Sequence, residues 1–276
     1  MRDEPLFEPD FLARVAALRT RAGRRGDEAG AGARGASRGV AGFDLADFRA
    51  YAPGDDPRSI DWPALARLDE PVVRVFRDVA PPELVVLLDR SPSMRFGSPT
   101  KDVAARRLAG ALGALAIASG ARARIAGDAS ASSRPEGWLA AVERAPKMDR
   151  AVDETVRRAA GGGAGREWVF LSDLYDADDL GAALERARRH GSPALVVAVR
   201  AREDLEPPAE GDLVDAESGE HRAYAPSSRD EFVRRREAFD AAWRDRCARL
   251  RVPLVAVRSE DPWPAALRAA LGARER

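Results

Sequence analysis

Three oxygen-bearing side chains spaced by two residues, Asp89, Ser91 and Ser93, follow the apolar run Leu84-Val85-Val86-Leu87-Leu88. If the chain stays extended past Leu88, all three project to one side. A carboxylate with two hydroxyls is a set of hard oxygen donors of the kind Mg²⁺ prefers. Asp173 ends a second apolar run, Trp168-Val169-Phe170-Leu171, and could bring another carboxylate to the same point. The alternative is structural: Asp89 caps a turn and the serines satisfy backbone amides. A second acidic group, Asp55, Asp56 and Asp61 with Arg58 and Trp62, has the form of paired carboxylates. Its proline-glycine start, Pro53-Gly54, is turn chemistry, so the group reads as a structural or interface cluster in which Arg58 bridges carboxylates and Trp62 anchors the segment to the core.

Other chemistries lack their residues. There is no G-x-S-x-G nucleophile elbow and no G-x-x-x-x-G-K phosphate loop, so no nucleotide is expected at this chain. The one cysteine, Cys247, excludes an intrachain disulfide and cysteine-cluster metal sites. It reads as incidental. His190 and His221 have no partner visible in the sequence. Asp89 would be the nucleophile of a metal-dependent phosphatase or hydrolase, the rival reading. Such enzymes place a second aspartate two residues on, where Ser91 stands.

Positioning these groups requires a particular kind of scaffold. The runs at 84–88, 168–171 and 195–199 read as strands buried on both faces. They alternate with amphipathic segments. One has Ser98 as N-cap and Pro99 at its first position, and carries Leu108, Ala111, Leu112 and Leu115. Its small residues would let that helix lie close to a sheet. Others are expected over 138–145, 149–160, around Leu180 to Ala187, over 228–250 and over 264–271. Weaker strands are expected at 123–126 and 254–257, a strand at 72–76, and a hairpin around Glu217-Ser218-Gly219. The first helix follows Asp10, and residues 22–42 read as a flexible Gly/Ala/Arg loop. This order implies an α/β fold of Rossmann type, a mostly parallel sheet with helices on both faces. Ligands of such sheets bind beyond the carboxyl ends of the strands, where Asp89 and Asp173 fall. The expected division is residues 1–80, comprising the first helix, the loop and a segment packing on the core, and residues 81–276, the sheet domain.

Composition narrows the class. With 45% hydrophobic and 33% charged residues the chain can bury a core. Its 45 basic and 45 acidic residues give no net field toward nucleic acid or anionic membranes. The longest apolar stretch, Leu108 to Ile117, is short of the ~20 residues of a membrane span. The first residues carry no apolar signal core, so the expected location is the cytoplasm.

Asp89-x-Ser91-x-Ser93 after a buried strand resembles the metal-ion-dependent adhesion motif of von Willebrand A domains. The stretch Phe48-Arg49-Ala50-Tyr51-Ala52-Pro53-Gly54-Asp55-Asp56-Pro57-Arg58-Ser59-Ile60-Asp61-Trp62, then Ala66-Arg67, Val73-Arg74-Val75-Phe76 and Lys101, resembles the domain-of-unknown-function 58 (DUF58) family. Phe170 to Leu174 and Leu213 to Glu220 are similar to further segments of it. The resemblance implies a von Willebrand A-like domain with Tyr51, Gly54, Asp55, Asp56, Arg58, Asp61 and Trp62 as family or interface residues. It also implies a non-enzymatic scaffold acting with a MoxR-type AAA+ ATPase in protein assembly or stress responses. The implied cofactor is Mg²⁺ at Asp89, Ser91, Ser93 and Asp173. Adhesion sites usually add a threonine from a later loop. Here Thr155 falls inside a helical pattern; Asp149, at that helix start, has the place of a substitute ligand, against which stands its reading as a simple N-cap.

Overall fold

The computed structural model describes residues 5–18, 43–53, 56, 60–68, 71–78, 81–146, 156–157, 165–175, 177–206, 210–216 and 219–274. The loop expected at 22–42, Gly54, Asp55, Arg58, Asp149, Thr155 and most of the expected helix 149–160 lie outside these residues. The chain divides into two compact units, one of residues 26–81 and one of residues 1–25 together with 82–276.

The larger unit is an α/β sandwich on five parallel strands. They are β3 (Glu83–Leu88), β4 (Arg122–Ile125), β5 (Arg166–Ser172), β6 (Ala194–Arg200) and β9 (Leu254–Arg258), in the spatial order β4-β3-β5-β6-β9. Side chains of a strand alternate between faces, and here both faces are covered. Leu84, Val86 and Leu88 enter one core with Val169, Leu171, Val197 and Val199. Val85 and Leu87 enter the other with Trp168, Phe170 and Val196. That is why these strands read as unbroken apolar runs.

The first core is roofed by α1 (residues 11–18), α3 (Lys101–Ala118), α4 (Pro135–Arg144) and α7 (Trp263–Arg274). Phe11 of α1 packs on Trp263 at 4.6 Å between ring centres. The second core is covered by α5 (Ala177–Arg189) and α6 (Arg229–Leu250), which contribute Leu180, Leu184, Trp243 and Cys247. Cys247 is thus a core residue, and burial pushes its thiol up to about 11. A hairpin of β7 (Gly211–Val214) and β8 (His221–Tyr224) precedes α6.

Two local expectations change. Helix α3 starts at Lys101, capped by Thr100, whose hydroxyl accepts from Val103 N at 3.3 Å. Ser98 and Pro99 lie in the turn before it. The glycines of α3 make room for aromatic groups of neighbouring segments rather than for the sheet: a Cβ at Gly113 would stand 2.2 Å from the Trp138 indole of α4, and one at Gly110 2.5 Å from Phe7. The Trp138 Nε1–H donates to the carbonyls of Ala109 and Gly110 at 3.1 Å, which holds the indole against the glycine stripe.

In the smaller unit β1 (Phe43–Ala50) and β2 (Val72–Asp78) pair antiparallel, with an irregularity between Leu45 and Asp47. Between them lies α2 (Trp62–Leu68), whose first turn is capped by Asp61: Oδ1 accepts from Ala64 N at 2.9 Å. Tyr51 is tied by its N–H to the Pro71 carbonyl. Asp56 is exposed. Trp62 is 59% exposed and therefore does not anchor this segment in a core.

Candidate functional site

Strand order decides where the site lies. The first strand of the sheet, β3, has the second on one side and the third, β5, on the other. The chain leaves β3 toward α3 on one face and leaves β5 toward α5 on the opposite face. A crevice opens between such diverging loops, and this is the place where open α/β sheets bind ligands. Asp89 follows β3 directly and Asp173 follows β5 directly, both almost fully buried.

At the end of β3, Asp89 is fixed by three neighbours. Its N–H donates to the Leu171 carbonyl at 2.9 Å, extending the pairing with β5. Oδ1 accepts from Ser91 N at 2.9 Å and Oδ2 accepts from the Ser172 hydroxyl at 2.6 Å. Burial pushes the Asp89 carboxyl up from its ordinary value, and the charge of Asp173 adds to this. The donors of Ser172 and Ser91 pull the other way. The chain does not stay extended past Leu88, as assumed from the spacing; Pro92–Arg95 form a 3-10 turn. The hydroxyls nevertheless converge, with Ser91 Oγ and Ser93 Oγ 3.0 Å apart. Met94, fully buried beneath, pins the turn to the core.

The fit to a cation can be tested on these atoms. Two ligands on adjacent corners of a Mg²⁺ octahedron, each ~2.1 Å from the ion, stand about 3.0 Å apart. The serine pair matches that spacing, which is equally that of a hydroxyl–hydroxyl hydrogen bond. The two serine hydroxyls therefore fit adjacent corners of a Mg²⁺ donor set, with the Asp89 carboxylate held beside them by the Ser91 amide. Among the described residues no three His, Cys, Asp or Glu side chains are grouped to hold a metal, so hydroxyl oxygens would have to complete it.

Asp173 is engaged differently. Its Oδ2 accepts from the Lys101 ammonium at 2.8 Å, with each side chain 1% exposed. The same ammonium lies 3.0 Å from Asp204 Oδ2 and 5.1 Å from the centre of the Tyr175 ring. Tyr175, 48% exposed, donates its hydroxyl to Asp204 Oδ1 at 3.4 Å. Arg200 donates to the Asp173 carbonyl at 2.5 Å and to Asp240 Oδ1 at 2.8 Å. The geometry thus makes Asp173 the anchor of a buried carboxylate–ammonium–carboxylate triad rather than an open partner of Asp89.

The turn after Asp173 is strained. Leu174 has φ of +69°, a conformation that non-glycine residues adopt at a cost of about 1–3 kcal/mol. It is clamped at both ends: its N–H donates to Ser172 Oγ at 2.8 Å and its carbonyl accepts from Trp243 Nε1 at 3.2 Å. Ser172 Oγ therefore links the strained turn to Asp89, accepting from one and donating to the other.

Ser172, Lys101, Asp204, Tyr175 and Arg200 were not singled out as site residues from the sequence. Only Ser172 and Lys101 had a signal there, as neighbours within family-like segments. Asp204 and Arg200 come from the end of β6 and the helical turn after it, which have no motif of their own.

The family model "Protein of unknown function DUF58" matches residues 47–137, a span that includes α2, β3, the Asp89 loop and α3. Among curated proteins the chain is similar to an uncharacterized protein of Mycobacterium bovis and to uncharacterized proteins from two strains of Mycobacterium tuberculosis. Each is 28% identical over 247 residues, which is 80% of this chain and 76% of the relative. Among the described residues no helix is long and apolar enough to cross a membrane.

Proposed function

We propose that this chain is a non-enzymatic, von Willebrand A-like protein-binding module whose contact surface is the crevice beyond β3 and β5, and that its partner is a MoxR-type AAA+ ATPase. The supporting observation is the convergence of Asp89, Ser91 and Ser93 at the strand-order switch, with hydroxyl oxygens 3.0 Å apart. These residues would hold Mg²⁺, which, when bound, supplies an open coordination position for a carboxylate of the partner. The protein's own part is to fix the donors: Ser172 and the Ser91 amide orient the Asp89 carboxylate, and the triad around Lys101 braces the facing loop. The rival reading, a hydrolase with Asp89 as nucleophile, is weakened because Ser91 stands where such enzymes place their second aspartate.

The test is capture of a purified MoxR-type AAA+ ATPase, without nucleotide, by the wild-type chain and by Asp89→Ala, each with Mg²⁺ or with EDTA. Capture by wild type in Mg²⁺ alone is expected. Equal capture in all four conditions removes the cation from the reading. A phosphoester screen in Mg²⁺ checks the rival; turnover abolished by Asp89→Asn would replace the binding module with an enzyme.

A further inference from the structure

Strand β9 is an edge of the five-stranded sheet, paired on one side only with β6 among the described residues. The register shows which backbone groups that leaves. Val196 N donates to the Pro253 carbonyl and Ser259 N to the Arg200 carbonyl, so the odd-numbered residues 253 to 259 face β6. Leu254, Ala256 and Arg258 consequently turn their N–H and C=O groups outward. Asp261 satisfies both outward groups of Arg258: its Oδ2 accepts from Arg258 N at 3.0 Å, and its N donates to the Arg258 carbonyl at 3.1 Å. The outward groups of Leu254 and Ala256 have no such partner among the described residues, and the Ala256 side chain is exposed.

Alongside this edge runs a groove of about 450 Å³, floored by Leu174, Trp243, Leu254 and Ala256. Its charges are unequal in availability. Arg200 is committed to Asp240 and to the Asp173 carbonyl. Arg244 and Arg258, also in the groove wall, are exposed and form no ion pair among the described residues.

We propose that the β9 edge is a strand-addition site for an extended, acidic segment of a partner protein. Its backbone would pair with Leu254 and Ala256, and its carboxylates would meet Arg244 and Arg258. Exposed edges bind extended peptides in this way, main-chain bonds giving affinity and alternate side chains specificity. A second copy of this chain is the alternative occupant, and light scattering separates it from a peptide partner. This inference deepens the protein-binding reading but uses neither Mg²⁺ nor Asp89, so the two fail separately.

The probe is a fluorescein-labelled hexapeptide of alternating Glu and Val, with an alternating Lys and Val peptide as control. Fluorescence polarisation and amide hydrogen exchange are read on the full chain. In the free protein the amides of Leu254 and Ala256 exchange at least tenfold faster than those of Val255 and Val257, and the acidic peptide selectively slows them. Ala256→Pro removes one outward donor and blocks the edge without touching the ladder to β6, since its N–H points away from it. It is expected to weaken binding at least tenfold, and Arg244→Glu with Arg258→Glu to reverse the peptide preference. If Ala256→Pro does not fold by circular dichroism, the exposed arginine pair carries the test alone. No binding of the acidic peptide, equal binding of the lysine peptide, or a wild-type dimer in light scattering that Ala256→Pro dissociates would overturn the proposal.

Discussion

Replacing Lys101 by Met keeps the aliphatic stem inside the structure and removes only the ammonium. What remains is Asp173, 1% exposed, with its 2.8 Å partner gone, and Asp204, which loses a 3.0 Å contact. Breaking a buried ion pair from one side costs about 3–5 kcal/mol, because the surviving charge stays desolvated and unpaired. At roughly 2–4 °C per kcal/mol for a domain of this size, the melting temperature should fall by roughly 6–20 °C. Urea denaturation and thermal melts of both proteins at neutral pH measure it. The sharper measurement is the double variant Lys101→Met with Asp173→Asn. Neutralising the orphaned carboxylate removes the source of the penalty, so the double variant is expected to be more stable than Lys101→Met alone. Additive losses, or a single-variant loss below about 1 kcal/mol, would refute the claim that the ammonium is held by a desolvated triad.

Asp89→Asn tests the perturbed carboxyl. The folded pKa of Asp89 is raised above its unfolded value, so the protonated carboxyl contributes stability that is fully present below the unfolded pKa and is lost as pH climbs through the folded one. Without divalent cations the variant is therefore expected to exceed wild type in stability at pH 7 in melts, with the gap closing near pH 4, the unfolded value; an unchanged gap contradicts the assignment. Ser172→Ala strips the link between Asp89 and the Leu174 amide and is expected to cost about 1–3 kcal/mol by denaturant titration. Gly113→Ala places a Cβ 2.2 Å from the Trp138 indole and is expected to cost about 1–3 kcal/mol, read in the same assay together with tryptophan fluorescence.

Much of the scaffold was legible because burial writes itself into composition. Strands covered on both faces must be apolar throughout, so β3, β5 and β6 stood out, and the residues at their carboxyl ends followed. Side-chain partnership across crossovers has no such imprint. Lys101 stood out only as part of a family-like segment, with nothing to name its partners, which lie 72 residues away at Asp173 and 103 away at Asp204. Only the sheet order brings them together. The start of α3 was misplaced because Ser98, Pro99 and Thr100 offer two cap readings, and local preference alone does not choose between them. Trp62 misled in another way: its size suggested burial, while its position at the first residue of the capped helix α2 leaves it largely exposed.

Those long separations also bear on the order of events in folding. Closing contacts over 72 and 103 residues requires β3, β5 and β6 to be aligned first. The triad then closes late, after the barrier, and its energy belongs to the descent rather than the climb. Lys101→Met should therefore leave the refolding rate nearly unaltered and accelerate unfolding by almost the whole of its equilibrium effect. In that case Lys101 acts as a latch on the finished domain: it lengthens the lifetime of the assembled crevice without helping the chain to find it.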